Sequence, residues 1–205
     1  MAKSLPQMLL QRLKTETAER HDRVERALDL MRPDMTRADW VRLVARFYGF
    51  YEPWEAAVAR TVGGDGDLAV MVADRRKVGW LERDLADLDL GEASRAALPR
   101  CDHLPALGTI EQVLGGMYVF EGATLGGQFI SRHVEATLGL TGGRGYSFFC
   151  SYGVATGRMW QAFRATLSAY APRLDADSIV ASACETFDRF HNWMVDGRGD
   201  PLTCP

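Results

Sequence analysis

The chain has 205 residues, 47% of them hydrophobic, with a formal net charge of −3 and a pI near 5.8. That length and apolar content support one domain with a sizeable core, and so mild an acidic balance gives no global attraction for nucleic acid or an anionic membrane. Cys101, Cys150, Cys184 and Cys204 are far apart and form no CxxC pair, which argues for reduced thiols rather than a disulfide scaffold or a zinc knuckle.

The opening MAKSLPQMLLQRLK holds only a short apolar run before charge returns, and no later stretch offers the ~18 uninterrupted apolar residues of a membrane span. A cytoplasmic protein is expected. From Leu5 the apolar residues recur at helical spacing until Arg32 and Pro33, which predicts a first helix. Thr36 and Asp39 form a capping box for a second helix through WVRLVARFYGFY, with Pro53 expected to kink it or start a continuation. After the loop GGDGD, an amphipathic run spans about Leu68 to Leu88. GEASRAALPRCDHLPALG reads as a connection with one short helix. Thr109 and Gln112 cap a glycine-bearing helix that runs to Leu138 and stops at Gly139. The loop TGGRGYS leads to FFCSYG and a helix from Thr156 to Tyr170, closed by Pro172. A last helix covers Asp177 to Val195, before a polar tail. No alternating β-branched segments with hairpin turns appear. The expectation is an all-α domain over 1–205, with six or seven helices around a core from about 9 to 194.

The segment GGMYVFEGATLGGQF is costly, because each glycine inside a helix loses roughly 1 kcal/mol relative to alanine. At 100° per residue, Gly115, Gly122 and Gly126 fall within about 20° of one line, and Gly116 and Gly127 form a second line roughly 100° away. A bare helix face admits either a closely packed helix or a flat ligand. Tyr118 and Glu121 are the polar side chains nearby.

In TAERHDRVE, His21 and Glu25 stand at i and i+4 on one helix face. That spacing is more often an exposed helix pair; it also fits an axial haem ligand whose ring a carboxylate orients. Lys14 lies two turns earlier on the same predicted face. His103, His133 and His191 have no partner at ligand spacing.

Together, LKTETAERHDRVE, YVFEGATLGGQFISR, FFCSYGVATGRMWQAF and ETFDRFHNWM resemble the heme oxygenase family, in particular the bacterial branch associated with bacteriophytochromes. The resemblance covers about residues 9 to 194. It implies a multi-helix bundle holding haem b between a proximal and a distal helix, with His21 as the axial iron ligand and Glu25 as its neighbouring carboxylate. It places the backbone of Gly122, Gly126 and Gly127, with Thr124, over the other haem face. Lys14, Tyr118, Arg158 and Arg164 become contacts to the bound group. The implied activity is oxidative cleavage of haem to biliverdin, carbon monoxide and iron with O₂. Electrons would come from a ferredoxin- or flavodoxin-type donor, since no flavin or nicotinamide fingerprint is present, and a bacteriophytochrome would accept the biliverdin. Ala123 departs from the family pattern, standing where many members carry an aspartate that anchors water. A non-catalytic haem carrier or sensor on the same fold is the alternative reading.

Overall fold

The computed structural model describes residues 5–63 and 66–196. Two helices, α1 (Leu5–Glu16) and α2 (Ala18–Leu28), stand where one was expected. Thr17 separates them: its hydroxyl donates to the Leu13 carbonyl at 2.6 Å, a local bond that competes with the helix ladder and bends it. α2 stops at Asp29, whose φ of 45° turns the chain back.

α3 (Arg37–Val62) opens on the expected capping box, with Thr36 and Asp39 each bonded to the other's backbone N–H. Those bonds hold the Asp39 carboxyl at about 2, below its ordinary value. Pro53 neither ends nor restarts the helix. Its missing N–H frees the Gly49 carbonyl, which accepts the Cys101 amide at 2.9 Å from a distant segment. Gly49 is bare for the same reason, since a Cβ there would lie 2.4 Å from the Pro99 oxygen.

The amphipathic run expected as one element is two, α4 (Gly66–Ala73) and α5 (Val78–Asp87). The break is a tertiary event: the Glu55 carboxylate on α3 accepts the backbone N–H groups of Lys77 and Val78, capping α5 from another helix. A short α6 (Glu92–Ala96) follows. α7 (Ile110–Ala123) carries the Thr109–Gln112 capping box, tightens into a 3₁₀ turn at Thr124–Gly126, and resumes as α8 (Gly127–Leu138) before left-handed Gly139. α9 (Ser147–Cys150), α10 (Thr156–Tyr170) and α11 (Ala176–Asp196) complete the described chain. Eleven α-helices among the described residues thus replace the six or seven expected. The polar tail lies almost wholly outside those residues, as do part of the GGDGD loop and Cys204; Cys101, Cys150 and Cys184 are free thiols. None of the described helices is long and apolar enough to cross a membrane.

α11 is the common support. It packs along α7 and also meets α2, α1 and α3. Two of the costly glycines exist for that packing: a Cβ on Gly115 would sit 2.4 Å from the Ile179 carbonyl, and one on Gly116 would press on Trp54 and Thr186. Around Phe120 of α7, the rings of Phe47, Tyr51, Phe148 and Phe190 pack in edge-to-face and tilted pairs as one aromatic core.

Candidate functional site

Because α2 and α7 both lean on α11 without packing closely on one another, a cavity of about 440 Å³ opens between them. That volume lies in the range of small-molecule and cofactor sites. Val24, Leu28 and Leu30 line it on one side, Val119, Phe120, Leu125 and Ile130 on the other, with Phe187 and Phe190 of α11 and Phe47, Phe148 and Phe149 between.

α2 brings His21 and Glu25 to the wall. The imidazole is half exposed, edge-on to Phe187 at 5.9 Å between ring centres. Its Nδ1 lies 3.7 Å from Glu25 Oε2 and 3.8 Å from Asp22 Oδ1. The three side chains offer ligand atoms within 4.8 Å of one another.

The other wall is the broken helix. Gly122, Ala123, Thr124, Leu125, Gly126 and Gly127 all line the cavity. Their glycines differ in what they do. A Cβ on Gly126 would meet nothing within 4 Å, and one on Gly122 would only touch Trp160 at 3.8 Å, so these two leave open backbone. Gly127 is a packing residue: its Cβ would fall 2.1 Å from the Phe149 carbonyl. The Thr124 hydroxyl donates to the Glu121 carbonyl at 2.7 Å, spending its proton within the helix turn and keeping only lone pairs for another partner.

Four predicted contacts do not reach this cavity. Lys14 is exposed on α1, where the bend at Thr17 removes it from the register of His21. Tyr118 faces away from the cavity and packs on Trp160 at 5.6 Å, with burial pushing its hydroxyl pKa up. Arg158 and Arg164 are exposed on α10. None of the four lines the cavity wall.

Other residues do, or support those that do. Asp84, fully buried on α5, accepts the backbone N–H groups of Ser147 and Phe148 at 2.6 and 2.8 Å, fixing the start of α9 and hence Phe148 and Phe149. Burial holds its pKa above the ordinary value despite those bonds. Lys77 lines the cavity, and its ammonium is bound by Glu121 and Tyr152. Arg75 stands behind Glu121, with Nε 3.3 Å from Oε2. A carboxylate such as Glu121 in an otherwise apolar, glycine-rich helix was the available signal, because a buried charge requires a buried partner. Which cation answers it is not encoded nearby in the chain.

Among the described residues, then, an all-α bundle brings one imidazole and the bare backbone of a broken helix to the lining of the same aromatic-rich cavity. The sequence matches the heme oxygenase family model over residues 7–196, and the chain belongs to that haem-degrading family. No curated protein matches the sequence. Among solved structures, the chain is similar to a heme oxygenase from Leptospira interrogans at 18% identity and a TM-score of 0.74, covering 95% of this chain and all of that one. It is also similar to heme oxygenase 2 from Chlamydomonas reinhardtii, solved without heme, at 16% identity and a TM-score of 0.71, covering 96% of this chain and 99% of that one. At such identities these likenesses speak for the fold.

Proposed function

We propose that the cavity binds haem b between α2 and the α7–α8 wall, with His21 as the iron ligand. The observation that carries this is a single imidazole, among the described residues, on a largely aromatic and aliphatic cavity that also holds the open backbone of Gly122 and Gly126. Asp22 and Glu25 lie on the Nδ1 side, which leaves Nε2 for the metal. In that arrangement Glu25 orients the ring.

Once bound, haem supplies the redox chemistry of its own oxidative cleavage to biliverdin, carbon monoxide and iron, given O₂ and external electrons. The chain contributes placement. Gly122 and Gly126 permit close approach at the wall facing α2, the aromatic core keeps water from the buried side, and Thr124 can accept a hydrogen bond from a water in the cavity. The electron source is a separate ferredoxin- or flavodoxin-type protein in the cytoplasm. A bacteriophytochrome as acceptor of the biliverdin is supported by the likeness of FFCSYGVATGRMWQAF and ETFDRFHNWM to the bacterial branch of the family.

An anaerobic haem titration of the full chain, followed by O₂, ferredoxin and its reductase with an iron chelator present, tests this reading. A Soret band should form and then give way to biliverdin absorption. In His21→Ala, haem affinity should fall by more than about tenfold, with a changed Soret maximum. A wild-type Soret spectrum in that variant rejects the ligand assignment, and a persistent haem spectrum under competent electron delivery points to a carrier.

A further inference from the structure

The buried charges behind Glu121 have no part in the reading above. Lys77 is only 4% exposed. Its ammonium donates to Glu121 Oε1, to the Arg75 carbonyl at 3.0 Å and to the Tyr152 hydroxyl at 3.2 Å, so all three N–H bonds are committed and the charge is fixed in place. Tyr152 in turn donates to Glu121 Oε1 at 2.9 Å. Further back, Glu55 takes the Lys77 and Val78 amides and pairs with exposed Arg76. Tyr51, wholly buried beside Glu55 and Glu121, has its pKa raised well above the ordinary value by desolvation and those carboxylates, and so stays neutral. Arg75, Arg76 and Lys77 against Glu55 and Glu121 leave one net positive charge.

Stability alone does not account for such a cluster, since apolar residues of similar volume usually serve as well as a buried ion network. Its placement is more informative. Among the described residues Lys77 is the one Lys or Arg on the cavity lining, which it shares with Tyr51, Phe120 and Phe148; the carboxylate on that lining, Glu25, belongs to the α2 wall, and Ala123 puts none on the α7–α8 side. Set among apolar side chains, a fixed charge acts on cavity contents with less screening than it would in bulk water.

We propose that Lys77, locked by Glu121 and Tyr152, makes the α7–α8 side of the cavity selective for anions, favouring a negatively charged occupant over a neutral one of similar size. Lys77 is an electrostatic positioning residue, and the inference rests on the haem reading. The wild-type chain, Lys77→Met and Glu121→Gln, each reconstituted with haem, are titrated with azide in the ferric state and carbon monoxide in the ferrous state. Lys77→Met should weaken azide about tenfold while carbon monoxide binding stays within about twofold. Glu121→Gln, which removes the counter-charge, should tighten azide by several fold. These opposite signs are what a merely structural disturbance would not produce. Azide affinity that is unchanged in both variants, or that moves in parallel with carbon monoxide, overturns the proposal. Should Lys77→Met fail to fold, Glu121→Gln decides alone: tighter azide supports it, and equal or weaker azide overturns it. If the wild-type chain forms no Soret band, the haem reading falls and takes this inference with it, an outcome distinct from the others.

Discussion

The two walls of the cavity are built in opposite ways. On α2, the groups that matter come from five consecutive residues, His21 to Glu25, and are exposed. On the α7–α8 side, the wall is held by α5 through Asp84 and α9, by the 74–77 connection through Arg75 and Lys77, by Tyr152, and by the bare contact of Gly127 with Phe149. The first wall is a local product of helical spacing. The second exists only because four segments converge, so damage should be mild and confined on one side and severe on the other.

The largest effect should follow from Gly127→Leu. With backbone 2.1 Å from the new Cβ, α8 or α9 must move, at a cost of about 3 kcal/mol, lowering the melting temperature by roughly 6–12 °C. Its control is Gly126→Leu, one residue earlier, where nothing lies within 4 Å. Melting should change by no more than about 3 °C there while haem affinity drops about tenfold, as leucine enters the cavity. Equal melting losses in both variants would erase the distinction between packing and cavity glycines.

Next in size is Asp84→Ala, which strands two buried backbone donors at the start of α9 and should cost about 2–3 kcal/mol, read by urea denaturation. Haem affinity should fall with it, because Phe148 and Phe149 lose their anchor. A variant destabilised without loss of haem affinity would detach α9 from the site. The smallest effect is expected at Glu25→Gln on the other wall. An exposed pair at 3.7 Å should contribute less than about 1 kcal/mol to stability. What should change is the ligand field, seen as a shift of the ferrous haem–histidine stretching frequency, and an unmoved frequency would deny Glu25 its orienting role.

Both capping boxes, the left-handed stop at Gly139 and the pairing of His21 with Glu25 were legible because each is decided within a few residues. Which of the two readings of Pro53 would hold was not, since α3 continues through it with the carbonyl that proline frees satisfied by Cys101, some fifty positions away. Nor was the division of the glycines: a 100° periodicity puts Gly115 with Gly126, but the 3₁₀ turn interrupts the register, and only α11 and α9 reveal which bare surfaces are covered. That Arg158, Arg164, Tyr118 and Lys14 lie off the cavity lining was not legible for the same reason: spacing places a side chain on a helix face and leaves open which neighbour that face meets.

The sequence by itself determined an all-helical fold, the capping boxes that open α3 and α7 and the placing of His21 and Glu25 on one helix face, because helical periodicity and capping are short-range. Tertiary structure alone decided which glycines open the cavity and which close-pack. It also decided that Lys77 answers the charge of Glu121, because a buried charge is matched by whichever partner the fold brings to it, however distant in the chain.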